Sequence, residues 1–258
     1  VEMLVLVMLL CFLVVQSAEA KTTKHKHKPH TQKIVSTTNM SIIHVDLERD
    51  AIIKGQNIEQ VRGLASITKL MTAMVALDYS TDTEKVLTLS NKAGSRLPHR
   101  QYTRGQLFHA MLIKSDNAAA ETIAADYPGG REKFIRDMNL RAETMGMYDT
   151  HFDDPSGLIS TNTSTALELA KLVEVAGQYE FIRYASSQVE RNTNKPILER
   201  FKNILVSKTG FTTSAGRCVA LLVDRAGSNH AIIILGEPTR HARDTLAQNL
   251  LLTVSSIK

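Results

Sequence analysis

The chain has 258 residues, 43% of them apolar and 22% charged. That balance excludes a wholly disordered polymer and suits one globular unit with a real core. The formal net charge of +5 does not indicate nucleic acid. Lys21, Lys24, Lys26, Lys28 and Lys33 crowd into one short segment, aromatic residues make up 5% of the chain, and no groove-reading or base-stacking motif is present.

Residues 3–15, MLVLVMLLCFLVV, form an apolar run followed by Gln16-Ser-Ala-Glu-Ala20. Ala18-x-Ala20 is the small-residue pattern that a signal peptidase reads, and the run is too short for a stable membrane span. Residues 1–20 are therefore expected to be a secretory signal, although Glu2 stands where a basic residue is usual; an uncleaved N-terminal anchor is the other reading. Cleavage removes Cys11 and leaves Cys218, within CVALLV, as a lone thiol expected to behave as a small buried hydrophobe. Residues 21–36 hold the lysines named above with His25, His27 and His30. They read as a solvated linker, with a metal-scavenging or envelope-binding tail as the alternative. Residues 37–258 would form the folded domain.

Ser41 to Asp46, SIIHVD, and Ala51-Ile52-Ile53 flank a polar turn and predict a hairpin over 41–54. From Ser66 the period becomes helical, with Ile67, Leu70, Met74 and Leu77 on one face. Further helices are expected up to Lys114, over Ala118–Asp126 and over Arg131–Met145, so residues 85–165 read as a helical lobe. After the helical stretch ALELAKLVEVA the chain turns to strands: Asn203–Thr209, Arg217–Val223 and His230–Leu235. A final helix over Thr239–Ile257, with Leu246, Leu250, Val254 and Ile257 as its apolar stripe, should pack on the sheet. It carries no basic residue between Arg243 and Lys258 and makes a poor membrane-surface helix. The fold class is therefore α/β in the α+β sense: an antiparallel sheet covered by helices, with a helical lobe inserted and a site expected at the seam.

Three short motifs carry chemistry. Ser66-x-x-Lys69 opens an apolar helix, where i and i+3 share a face, so the hydroxyl and the amine can meet within one turn. Helix N-termini favour developing negative charge. For Lys69 to act as a base its pKa must fall from the ordinary 10.4 by roughly 3, which burial and a second cation can bring about. Lys208-Thr209-Gly210, at the end of NILVSKT, offers a cation and a hydroxyl to a carboxylate, while Gly210 admits a close backbone approach. Ser115-Asp116-Asn117 lies in a break between helices, where Ser115 could relay a proton and Asn117 hold an amide. Singly, each has a plain structural explanation: Ser66 as a helix cap, Ser115-Asp116-Asn117 as a capping turn, Lys208 as an exposed strand residue. A second Ser-x-x-Lys, Ser255 to Lys258, shows how common the first motif is. The ordered set, with gaps of 49 and 93 residues, is much more specific, and it is the set known from class A β-lactamases and penicillin-binding proteins.

With these motifs in ASITKLMTAMVALD, HAMLIKSDNAAAETIA, YPGG and RNTNKPILERFKNILVSKTGFTTSAGRCV, the chain resembles the low-molecular-mass penicillin-binding proteins, the serine-type D-alanyl-D-alanine endopeptidase and carboxypeptidase group, over most of residues 40–240. The last stretch looks most like the endopeptidase branch, which cuts crosslinks in peptidoglycan. The resemblance implies a β-lactamase/transpeptidase-like fold, a periplasmic location and no cofactor. It makes Ser66 the acylated nucleophile, Lys69 its base and Ser115 the proton carrier to the leaving amine. Asn117 would position the peptide, and Lys208, Thr209 and Gly210 would bind the terminal carboxylate end. The oxyanion hole would be the backbone N–H groups of Ser66 and Phe211. Partners would be stem peptides and crosslinks, with β-lactams as covalent inhibitors and no stable membrane anchor once the signal is removed.

Three other readings stay open. A carboxypeptidase would use the same residues to trim stem peptides. A β-lactamase must hydrolyse its acyl-enzyme quickly; the class A solution is a Glu working through water, and the middle region offers Glu168 without an E-x-x-L-N pattern. A non-catalytic peptidoglycan-binding protein would keep the pocket without the chemistry. Metal catalysis is not expected, because H-E-x-x-H is absent and His99, His109 and His151 lack ligand spacing.

Overall fold

Strand β1 (Ser41–Asp46) returns through a turn as β2 (Ala51–Gln56), as the alternating pattern predicts. The computed structural model describes residues 40–90, 95–188, 196–225 and 227–256. The expected signal, the Lys/His-rich linker, residues 191–195 and Ile257 lie outside them. After the two-residue β3 (Arg62–Gly63), a 3-10 turn (Ala65–Thr68) leads into α1 (Lys69–Tyr79). The short strands β4 (Val86–Thr88) and β5 (Gln101–Thr103) pair with each other. Helices α2 (Arg104–Ile113), α3 (Asn117–Ala125) and α4 (Gly130–Thr144) follow, and then β6 (Thr163–Ser164), which pairs with β3. Helices α5 (Ala166–Ala176), α6 (Glu180–Ser187) and α7 (Pro196–Arg200) precede β7 (Ile204–Thr212), β8 (Gly216–Arg225), β9 (Ser228–Glu237) and the terminal α8 (Arg240–Ser256).

The main sheet is antiparallel with strand order β2-β1-β9-β8-β7. Its period-2 side chains divide into two cores. Ile43, Val45, Ala220, Leu222, Ala231, Ile233 and Leu235 join helices α1 to α5 on one face. Ile42, Val219, Leu221, Val223, Ile232 and Ile234 meet Ala247, Leu250 and Leu251 of α8 on the other. Both faces of the central strands are thereby dry. The polar residues of SIIHVD do not mark a wet face: Ser41, His44 and Asp46 are buried along with its apolar residues.

Two further differences have physical causes. Helix α1 was expected to bury one face, yet every residue from Lys69 to Leu77 is buried, because it runs between the sheet side and α2 to α4 rather than over the surface. The region after α5 was expected to be extended and instead begins with α6, a helix of 8 residues that buries Ile182, Ala185 and Ser186. The segment has a helical apolar period, but over two turns only, and a stretch that short is hard to tell from a strand or loop by pattern. Among the described residues no helix is long and apolar enough to cross a membrane.

Candidate active site

The site lies where the 3-10 turn before α1, the α2–α3 junction, the end of β7 and the 153–162 loop converge. Ser66 sits in that turn, and no side chain caps the turn or α1, so its hydroxyl is not a helix cap. Ala65 just before it takes φ 47, a left-handed conformation costly for a residue with a Cβ. Lys69 is fully buried. Its Nζ lies 3.0 Å from Ser66 Oγ, 2.7 Å from Asn117 Oδ1 and 2.5 Å from the Ser156 carbonyl oxygen. Burial pulls the Lys69 amine down to about 7, while the negative charges of Asp154, Asp116 and Glu121 pull the other way. Burial is thus the main cause of the lowered pKa.

Ser115 and Asn117 reach the same cavity from the break between α2 and α3, and Ser115 is held at φ 58. The capping-turn reading is right for the residue between them: Asp116 Oδ1 accepts the Ala119 N–H at the start of α3. Asp116 Oδ2 accepts from Ser95 Oγ and the Arg96 N–H, anchoring the preceding loop beside the site.

Lys208 is not an exposed strand residue. It is 2% exposed, and its Nζ donates to Ser115 Oγ at 3.0 Å and to the Thr209 carbonyl at 2.9 Å. Thr209 is half-buried next to it. Gly210 was read as making room for a ligand backbone, and the structure adds a nearer neighbour. A Cβ there would come within 3.0 Å of the Leu64 carbonyl oxygen, the Ser66 nitrogen and the Ala65 Cβ. The glycine lets β7 close on the nucleophile turn. Phe211 is half exposed, with the Arg217 guanidinium 3.5 Å above its ring. Cys218 is buried as expected, and burial pushes its thiol up to about 11.

All eight residues singled out from the sequence therefore converge on one region. What the sequence reading missed is the loop opposite them. Asp154 is buried and accepts from the Ser156 N–H and hydroxyl and from the Gly157 and Ile159 N–H groups, which presents the Ser156 carbonyl to Lys69. Asp153-Asp154-Pro155-Ser156-Gly157 is a dense turn signal, and that was its only visible trace.

The fold and this arrangement point to one class: a serine hydrolase, with a buried lysine amine beside the serine hydroxyl. A family model described as D-alanyl-D-alanine carboxypeptidase matches residues 23–239. The D-alanyl-D-alanine endopeptidase of Pseudomonas aeruginosa is 32% identical over 238 residues, which cover 83% of this chain and 77% of that protein. The D-alanyl-D-alanine endopeptidase of Escherichia coli is 34% identical over 203 residues, 70% of this chain and 66% of that protein. A crystal structure of penicillin-binding protein D2 from Listeria monocytogenes in its ampicillin-bound form is 25% identical, with a TM-score of 0.76 over 87% of this chain and 100% of that one. The chain belongs to the D-alanyl-D-alanine carboxypeptidase family of serine peptidases.

Proposed function

We propose that this protein is a penicillin-sensitive D-alanyl-D-alanine endopeptidase that opens peptidoglycan crosslinks through an acyl-enzyme on Ser66. The observation that carries the reading is the fully buried Lys69 amine, 3.0 Å from the Ser66 hydroxyl. With its pKa near 7, a large share of Lys69 is neutral at physiological pH and can accept the Ser66 proton.

Ser66 Oγ attacks the D-alanyl carbonyl as Lys69 takes its proton. The resulting oxyanion is held by the backbone N–H groups of Ser66 and Phe211, which Gly210 allows to stand close together. Ser115 passes the proton to the departing amine, the C–N bond breaks and an ester on Ser66 remains. Lys69 then draws a proton from a water that attacks this ester, releasing the peptide and restoring the serine. Lys208 and Thr209 hold the carboxylate beside the scissile bond, and Asn117 holds the peptide amide.

The endopeptidase reading is favoured over carboxypeptidase by the two relatives described above, both named endopeptidases. The apolar segment and Ala18-x-Ala20 support export by a cleaved signal, with the protein acting in the periplasm. The test is intact-protein mass spectrometry after incubation with benzylpenicillin, beside Ser66→Ala, followed by digestion of crosslinked muropeptides and of free pentapeptide. A wild-type adduct absent from the variant, with crosslinks opened faster than pentapeptide is trimmed, is the expected result. Faster trimming makes the protein a carboxypeptidase. Neither adduct nor turnover leaves a peptidoglycan-binding protein.

A further inference from the structure

Asn162 is fully buried and uses every side-chain bonding position it has. Its Oδ1 accepts the N–H groups of Asp153 and Asp154 at 2.8 and 3.2 Å. Its Nδ2 donates to the Asp154 carbonyl at 2.8 Å and, across 94 positions of sequence, to Thr68 Oγ1 at 3.1 Å. Its own carbonyl accepts the Leu64 N–H at 3.0 Å. One side holds the loop that presents the Ser156 carbonyl. The other holds both ends of the turn that carries Ser66.

Two contacts show how little slack the junction has. Gly157, at φ +77, lies against the nucleophile turn so closely that a Cβ would fall 1.8 Å from the Ala65 carbonyl oxygen. Thr72 Oγ1 on α1 donates to the Pro155 carbonyl at 2.6 Å. The distance between loop and turn is therefore a set quantity, and Asn162 is the side chain that spans it.

That distance matters because of what an amine can do. A neutral Lys69 has two N–H bonds and one lone pair. With its N–H groups on Asn117 Oδ1 and the Ser156 carbonyl, the lone pair is left for the Ser66 hydroxyl. If the Ser156 carbonyl withdraws, an N–H can turn to Ser66 Oγ, and the base becomes a donor to its own nucleophile. We propose that Asn162 is a positioning residue for the Ser66–Lys69 pair: by tying the Ser156 loop to the Ser66 turn, it aims the Lys69 lone pair at the Ser66 hydroxyl. The inference deepens the function proposed above and rests on it.

The experiment is stopped-flow acylation by benzylpenicillin, as a function of pH, of the wild type, Asn162→Ala and Thr68→Val. The valine keeps the shape of Thr68 and removes only the oxygen that Asn162 reaches. Acylation should slow about 10- to 100-fold in Asn162→Ala, the usual penalty for a misplaced catalytic group, and about 3- to 10-fold in Thr68→Val, for one lost hydrogen bond. In both, the acid limb should move to higher pH, because water admitted beside Lys69 relieves the burial that lowers its pKa, and the adduct should remain on Ser66. A lower amplitude with an unmoved limb would reflect only fewer folded molecules, and it overturns the proposal, as does wild-type behaviour. If Asn162→Ala does not fold, Thr68→Val decides. A wild type that forms no adduct on Ser66 sinks the parent reading and this one together, whereas normal wild-type acylation with unaffected variants sinks this one alone.

Discussion

Gly210 and Ser66 are in backbone contact: a Cβ at position 210 would stand 3.0 Å from the Ser66 nitrogen and 3.0 Å from the Leu64 carbonyl oxygen. Both obstacles are main-chain atoms of a turn already bearing a left-handed alanine, so they cannot rotate aside. Gly210→Ala is expected to push β7 away from the turn, at about 1 to 3 kcal/mol of stability, and to spread the two N–H groups proposed as oxyanion donors. Loss of one such donor costs about 100- to 1,000-fold, so acylation should fall far more than the melting temperature suggests. Unchanged acylation in a folded Gly210→Ala protein would show that the contact has no catalytic meaning.

In the proposed mechanism Lys69 gives the reaction its pH dependence. With the amine lowered to about 7 by burial, acylation should rise through neutral pH as Lys69 loses its proton and level off above it. Stability runs the same way. In the unfolded chain Lys69 binds its proton up to its ordinary pKa, so between about 7 and 10 the unfolded state holds more protons and stability increases with pH. Below 7 the penalty of the buried charge is fully present, on the order of 5 kcal/mol for a pKa lowered this far. Lys69→Met should therefore be inactive yet unfold at no lower denaturant than the wild type at mildly acidic pH, with its advantage shrinking towards alkaline pH. A methionine variant less stable at every pH would show that the three Lys69 hydrogen bonds outweigh the cost of the charge.

The candidate site was legible in the sequence wherever it is local or motif-bound. Ser66 and Lys69 are one turn apart, Lys208 to Gly210 follow the apolar run of a strand that continues to Thr212, and Ser115 to Asn117 stand at the junction of two clear helices. Contacts between loops leave no such trace. Asn162 and Thr68 are 94 positions apart, and nothing periodic links them. The burial of His44 and Asp46 was hidden for another reason: polar residues on a strand signal water only when one face of the sheet is open, and here α8 packs on the face they share with Ile42, while Ser41 on the other face is held by Arg62 Nε.

The covered face contains a pH-sensitive pair. His44 Nε2 and His230 Nδ1 lie 3.2 Å apart on β1 and β9, both buried. One must donate and the other accept, so the accepting ring must be neutral and the contact is lost if both rings are protonated; the His44 Nδ1 left without a partner is best a bare lone pair. Burial, with His230 as second cause, lowers His44 to about 4, and burial lowers His230 as well. Asp46 opposes both shifts, while Arg225 and Arg49 add to that of His230. As both folded values lie below the unfolded 6.5, the unfolded chain takes up protons first. Stability from the pair is complete above about pH 6.5 and is lost as pH falls towards 4, on the order of 3 kcal/mol for His44. Denaturant midpoints should drop across that window, and the double variant His44→Leu, His230→Leu should flatten the drop. A midpoint that falls equally in both proteins assigns the acid sensitivity to other groups.

The fate of bound penicillin rests on carboxylates. A class A β-lactamase hydrolyses its acyl-enzyme with a Glu that drives a water, and the sequence offered Glu168. Its Oε1 accepts the Asp149 N–H at 3.0 Å and its Oε2 the Thr150 hydroxyl at 2.6 Å. The carboxylates that act on Lys69 are also engaged: Asp154 within its loop, Asp116 at the start of α3, and Glu121 with Arg131 at 2.6 Å. The benzylpenicillin adduct should therefore be long-lived. Glu168→Gln should leave its decay unchanged while lowering stability by about 1 to 2 kcal/mol, since an amide cannot accept at both positions without turning a donor towards one of them. Mass spectrometry of the adduct over time, with thermal melts of the same samples, separates the two effects. Fast drug turnover in the wild type that disappears in Glu168→Gln would make Glu168 the deacylating base, and the protein a β-lactamase.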